Sequence, residues 1–421
     1  MKIELPYLGR TFPLEFPDEN LLAVAEPNGF SLAEDPDTVF KKALEQPRSL
    51  AAFLAGGARV LIIINDATRP TPTGAILSAL LPVLGDAKIR KENISLLVAT
   101  GAHRAPTEEE YRQILGPHFT LLRSRCIPHD ARHEEDMADL GFTRNGTPIL
   151  LNKRIFDADR IIITGSVEPH YFAGFTGGRK AFLPGIAAYR TIQANHKQAL
   201  SPRARSLALE GNPVHEDMMD ALPLIKAPVY SLMTVLDKDQ GVAAVCAGDI
   251  LTSFYAAVEI ARKIFCVSVP ARADIVVSVA KFPMDIDLYQ SQKAIDNGGM
   301  ALKDGGTLIL VSSCRDGIGD EAYAQLLAQA SSPAEALRKI EAGYKLGYHK
   351  AAKMAAVSER AHIKAVTELP EERLKSLFIE KAASPQEALN EAMEKAGTQG
   401  RVPKILILPD GCVTVPEPAQ V

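Results

Sequence analysis

Unbroken runs of β-branched and aliphatic residues, each stopped by a glycine or a polar turn, constrain this chain more than any other feature. Arg59-Val60-Leu61-Ile62-Ile63-Ile64 is followed by the turn Asn65-Asp66-Ala67-Thr68-Arg69-Pro70, and Ile94-Ser95-Leu96-Leu97-Val98-Ala99 stops at Thr100-Gly101-Ala102-His103-Arg104. Arg160-Ile161-Ile162-Ile163-Thr164-Gly165 is a third such run. A strand that is apolar at nearly every position must be covered on both faces, which is the condition of a parallel strand inside an α/β sheet. Amphipathic segments, as at 73–84, separate the runs, and this succession argues for an open α/β sheet. A second series begins near Pro270, with strands at 273–279, 306–311 and 404–409 and helices over 320–344 and 383–396.

Two series in 421 residues make two α/β domains with largely parallel sheets. The expected boundaries are 1–268 for an N-terminal domain carrying most of the candidate chemistry and 269–421 for a C-terminal domain that closes an inter-domain cleft. The turn from Val267 to Arg272, with Pro270, is the expected hinge. The net charge of -4 gives no basic stripe for a nucleic acid. The first residues, MKIELPYLGRTFPLEF, have no apolar core of signal length, and no later run approaches a bilayer span. Cys126, Cys246, Cys266, Cys314 and Cys412 are far apart and form no CxxC, which reads as free thiols in a reducing cytoplasm.

Ligands of open α/β sheets gather beyond the carboxyl ends of the strands. Three strand ends of the first half deliver Asp66 and Arg69, then His103 and Arg104, then Glu168 and His170. The segment from Glu168 to Gly185 continues as His170-Tyr171-Phe172-Ala173-Gly174-Phe175-Thr176-Gly177-Gly178-Arg179-Lys180, and Gly174, Gly177, Gly178 and Gly185 would let backbone approach a ligand. Neither GxxxxGK[ST] nor GxGxxG is present, so the segment is no phosphate loop or dinucleotide fingerprint. Lys180 suits either an anion or a covalent attachment. Asn195-His196 follows it.

His103, His170 and His196 allow a zinc site of His₃ type, although they lack local pair spacing. His129 and His133 read as a solvated helical face, and His118, His215, His349 and His362 as surface or cap residues. In the second half, Tyr289-Gln290 and Lys293 follow the strand at 273–279, and Gln290 and Lys293 share a helix face suited to a carboxylate or phosphate.

Asp66-Ala-Thr-Arg69-Pro, Thr100-Gly-Ala-His103-Arg104, the Glu168 to Gly185 block, Asn195-His196 and Tyr289-Gln290-x-x-Lys293, in this order, closely resemble the nickel-dependent lactate racemase family. The resemblance runs from about residue 10 to 411. It implies a nickel-pincer nucleotide, a pyridinium mononucleotide whose two thiocarboxylate-derived arms grip nickel. Lys180 would be joined to it through a thioamide, and His196 would complete the nickel coordination. Asp66, Arg69, Lys293, Gly177 and Gly178 match the cofactor-binding positions. Gln290, Tyr289, Arg69 and Lys293 match the substrate-binding ones, and His103 and His170 the two acid–base histidines. Proteins that build the cofactor would be partners, beside a small 2-hydroxy acid.

The chemistry that the resemblance implies is inversion of carbon 2. The C2 hydrogen of a 2-hydroxy acid is weakly acidic, so removal of the hydroxyl proton with hydride transfer to a cofactor, through a planar 2-keto acid, is the easier path. Imidazoles titrating near neutrality suit the hydroxyl proton. The chain has no Trp, whereas the family places one near the substrate, so malate or a sugar acid stands beside lactate. A metal-dependent hydrolase using the same histidines, and a non-catalytic carboxylate or nucleotide binder, remain alternatives.

Overall fold

A computed structural model of the chain describes residues 1–30, 32, 34–45, 49–397 and 401–419. The chain opens with β1 (Lys2–Tyr7), β2 (Arg10–Glu15) and β3 (Leu21–Val24). There follow β4 (Val60–Asn65), β5 (Ile94–Ala99), β6 (Cys126–Pro128), β7 (Met137–Phe142), β8 (Pro148–Asn152) and β9 (Arg160–Ser166). Next come β10 (Pro169–His170), β11 (Gly174–Phe175), β12 (Val229–Leu236) and β13 (Val242–Gly248). The remainder holds β14 (Cys266–Val269), β15 (Ala273–Val279), β16 (Leu302–Val311), β17 (His362–Val366), β18 (Ile379–Lys381), β19 (Ile405–Leu408) and β20 (Val415–Pro418).

These elements make two compact units, Gly29–Lys263 and Met1–Asn28 with Ile264–Val421. The main sheet of the first has the order β13-β12-β9-β4-β5-β6 and is parallel except for the β12–β13 pair. Every residue from Val60 to Ile64 is buried, as a strand covered on both faces requires. The helix Thr73–Asp86 presents Ile76, Leu77, Leu80 and Leu84, spaced for one face, to Ile62, Ile64, Leu96 and Val98.

The second unit is built on an all-parallel sheet ordered β18-β17-β16-β15-β19-β3. One side of it packs Ile275, Val277, Ile309 and Ile407 against Ala388, Leu389 and Ala392 of the helix Pro385–Gly397, with Leu5 and Leu14 of the β1–β2 hairpin.

The division differs from boundaries at 1–268 and 269–421. Residues 1–28 fold with the C-terminal half, because β3 adds to the sheet edge beside β19 and pairs Ala23 with Leu406. Such a long-range strand addition leaves no mark in local periodicity. The expected hinge at 267–272 instead begins with β14, which pairs in parallel with β20. The helical stretch expected over 320–344 is two helices, Glu321–Ala328 and Pro333–Ala342. Pro333 ends the continuity, and the hydroxyl of Ser332 accepts the Glu335 N–H at 3.2 Å to start the second helix.

The hairpin β10–β11 lies just beyond β9 and pairs His170 with Gly174. Gly174 has φ +77°, and a Cβ there would sit 2.2 Å from the Ala208 carbonyl oxygen. Gly174→Ala is therefore expected to lower stability by about 2–4 kcal/mol. A melting temperature unchanged from wild type would contradict this packing.

Candidate active site

β9, β4 and β5 are adjacent, so the three loops leaving their carboxyl ends emerge side by side. From β4 comes Asp66, 6% exposed, whose Oδ1 accepts the Thr68 hydroxyl at 2.6 Å and the Thr68 N–H at 3.2 Å. Its Oδ2 lies 2.7 Å from Nδ1 of His103, which the β5 loop supplies. Burial pushes the Asp66 pKa up, but hydrogen bonds from His103 and Thr68 outweigh it and hold the carboxyl below its usual value. The carboxylate fixes the imidazole with Nδ1–H donating and Nε2 presented as an acceptor. The side chain of His103 is 50% exposed, open to a ligand. Arg104 turns away into a two-pronged pair with Glu110 at 2.7 and 2.8 Å.

From β9 comes the segment that ends at Lys180. Thr176 closes its base: its hydroxyl donates to the Ser166 carbonyl at 2.8 Å, and its N–H to the Glu168 carbonyl at 2.9 Å. Arg179 then holds the loop from inside. Its guanidinium is 1% exposed and donates to the carbonyls of Ala173 at 2.8 Å, Thr176 at 3.2 Å and Gly177 at 3.1 Å. Nε donates to Nδ1 of His215 at 3.1 Å, and the group stacks 4.4 Å from the Phe254 ring centre. Burial, then the Arg179 charge, drives His215 down to about 3, so it is a neutral acceptor. Burial lowers Arg179 itself to about 9.

Gly177 and Gly178 serve packing here. A Cβ on Gly177, at φ +79°, would meet Val167 at 2.5 Å, and one on Gly178 would meet Phe254 at 3.0 Å.

Phe172, itself buried, gathers the remaining candidates. His170 stands edge-on to its ring at 4.5 Å between centres, His196 at 5.0 Å, and the Lys180 Nζ lies 5.5 Å from the ring centre. His170 Nδ1 accepts the Ala173 N–H at 3.2 Å, which places a proton on its Nε2. His196 occupies the last turn of the helix Tyr189–Lys197. Lys180 forms no ion pair among the described residues. Burial, ahead of the charges of Arg69 and Arg179, holds its ammonium well below the usual range. Arg69 thus acts electrostatically on both Lys180 and Asp66. The Gly101 N–H, in the His103 loop, bonds the Gly185 carbonyl at 2.9 Å and ties that loop to the Lys180 segment.

In the other unit, Asp287 starts the helix Leu288–Met300 by accepting the Gln290 N–H at 2.7 Å. Tyr289, Gln290 and Lys293 lie within its first two turns. Lys293 contacts the Met284 sulfur at 3.3 Å and forms no ion pair among the described residues.

The chain matches the lactate racemase N-terminal domain over residues 7–206 and the lactate racemase C-terminal domain over residues 269–415. It is 33% identical to the lactate racemase of Lactiplantibacillus plantarum over 97% of this chain and 98% of that protein. The chain belongs to the lactate racemase family. The lactate racemase of Thermoanaerobacterium thermosaccharolyticum is 31% identical over 80% of each chain. The structure of that racemase's apoprotein superimposes with a TM-score of 0.91, covering 99% of this chain and 100% of that one. Membership in the lactate racemase family makes the chain a racemase, an isomerase by class.

Several histidines differ from the sequence expectation. His129 is 1% exposed, bonding the Ala187 carbonyl at 2.9 Å, rather than solvated. His215 and His349 are buried too, the first as the Arg179 acceptor and the second 2.9 Å from the Tyr344 hydroxyl. Among the described residues no group of three His, Cys, Asp or Glu side chains is placed to hold a metal ion. No described helix is long and apolar enough to cross a membrane. Arg179 and Phe172 were legible as residues of the motif, but their roles depend on burial that spacing does not reveal.

Asp66 sets the pH prediction for this site. A carboxyl depressed in the folded state contributes stability above its unfolded pKa and loses it as pH falls through the folded value. Asp66→Asn should cost stability at neutral pH, and the gap in melting temperature from wild type should shrink below about pH 4. A gap that stays constant into acid would rule out the depressed carboxylate. Arg179→Met strips donors from three loop carbonyls and should cost at least ~2 kcal/mol, read by denaturant unfolding.

Proposed function

We propose that the chain inverts carbon 2 of a small 2-hydroxy acid, with a nickel-pincer nucleotide carried on Lys180. Lys180 is the observation that supports this reading. Its burial and the positive charges beside it favour the unprotonated amine, the form able to make an acyl or thioacyl bond. The imidazole of His196, set against the same Phe172 ring, fits a nitrogen ligand for nickel. When bound, the group supplies an acceptor for hydride from carbon 2.

The chain's own residues supply position and proton chemistry. His103, oriented by Asp66, offers Nε2 to the substrate hydroxyl proton. His170, with Nδ1 engaged by backbone, offers an Nε2–H to the oxygen that results. One imidazole accepts where the other donates, which suits a reaction that strips and then restores a hydroxyl proton. Arg69 and Lys293 would neutralise substrate or cofactor anions, Arg69 by a two-pronged contact, and Gln290 and Tyr289 would border the substrate carboxylate.

Protein made alongside the cofactor-building enzymes should gain a cofactor-sized mass under denaturing conditions, and Lys180→Ala should gain none. An unmodified wild type, with a loaded family member in parallel, would overturn covalent loading and favour a binder. In the loaded enzyme His103→Gln should lower kcat by roughly 10²–10⁴-fold, the range of general-base assistance. Full activity in that variant would remove His103 from the reaction.

A further inference from the structure

In the second unit β15 and β16 are neighbours, and the loops after them leave from the strand ends where open α/β sheets hold ligands. The loop after β15 supplies Lys281, Phe282 and Asp285, and the loop after β16 supplies Arg315. Together with Tyr7, at the end of β1, and Leu8, in the turn that follows, they line a cavity of about 310 Å³. That volume is at the lower end of the range that holds small ligands. The described residues that line it do not include Tyr289, Gln290 or Lys293, so the cavity stands apart from the positions assigned to the substrate.

Its walls carry both signs of charge and an uncovered ring. Asp285 is 7% exposed; Oδ2 accepts the Ser313 hydroxyl at 3.2 Å, and Oδ1 accepts no hydrogen bond among the described residues. The cations of the cavity pair elsewhere and loosely, Lys281 with Asp410 at 3.8 Å and Arg315 with Asp316 at 4.0 Å. Phe282 is 73% exposed, and the Arg315 guanidinium lies 5.8 Å from its ring centre. A carboxylate buried with so few donors is costly unless a cation or strong donor joins it. An exposed phenyl ring at the same cavity is apolar surface that a ligand would cover.

We infer that this cavity binds a free α-amino acid with an apolar side chain. The ammonium donates to Asp285, the carboxylate faces Lys281 and Arg315, and the side chain packs on Tyr7, Leu8 and Phe282. Each charge of the zwitterion thereby meets its opposite through a charge-assisted hydrogen bond. A plain carboxylic acid leaves Asp285 without its donor, and a plain amine leaves the two cations without their anion. A site built around polar partners rejects the analogue that lacks one of them.

Isothermal titration calorimetry of the full chain without cofactor, so that Lys180 has no part in the outcome, tests this with L-phenylalanine. The controls are 3-phenylpropionate, which lacks the ammonium, and phenethylamine, which lacks the carboxylate. Phenylalanine should bind saturably at one site, and each analogue at least ~10-fold more weakly. Asp285→Asn should weaken phenylalanine at least ~10-fold and leave 3-phenylpropionate unchanged. The double variant Lys281→Gln, Arg315→Gln alters only exposed side chains and should also weaken phenylalanine at least ~10-fold, which keeps the test open if Asp285→Asn does not fold. No saturable binding of phenylalanine or of leucine to wild type overturns the site. So does equal affinity for phenylalanine and 3-phenylpropionate, or wild-type affinity for phenylalanine in the double variant.

Discussion

The candidate site depends on one buried cation that touches no carboxylate among the described residues. Arg179 spends its donors on three carbonyls of its own loop and on His215, so the segment that carries Lys180 is folded around a guanidinium. Hydrogen bonds from a charged donor inside a low-dielectric interior are strong, and they fix the loop with little freedom. Phe254 stacks on the guanidinium, and Gly178 lies close against that same ring. The cost of burying that charge is met by the loop, which in return cannot adopt another shape without leaving it unsatisfied.

That rigidity has an electrostatic consequence. Burial, and then the charges of Arg69 and Arg179, push Lys180, the residue next in sequence to the structural cation, toward a neutral amine. Asp66 works in the opposite sense, kept ionised by the hydrogen bonds around it and steering His103. Three adjacent parallel strands therefore present an amine, a carboxylate-steered imidazole and a backbone-anchored imidazole, each in a different protonation environment. Separated protonation states of this kind are what hydroxyl deprotonation and covalent cofactor attachment require at one pH.

Much of this was legible in the residues. The apolar runs at 60–64, 94–99 and 273–279 are strands, as their shortness, β-branched residues and bounding turns argue. The strand ends then named Asp66, His103 and His170, and the block to Lys180 carried the family. Histidines were read least well. His129, read as part of a solvated face, and His215, read as a surface or cap residue, are both buried by partners 58 and 36 residues away in sequence. The allegiance of residues 1–28 was missed for the same reason, since β3 pairs with a strand nearly four hundred residues later.

By itself the sequence determined the alternation of strands and helices, the loops on which the chemistry sits and the family to which the chain belongs, because these follow from local periodicity and from an ordered set of short motifs. Only the tertiary structure decided which unit claims the N-terminus, that Arg179 is a scaffold, that Phe172 gathers two imidazoles and an amine, and that Asp285 lines one cavity with Tyr7. Burial, pKa and hydrogen-bond partnership are set by residues far apart along the chain, and one-dimensional spacing carries no record of them.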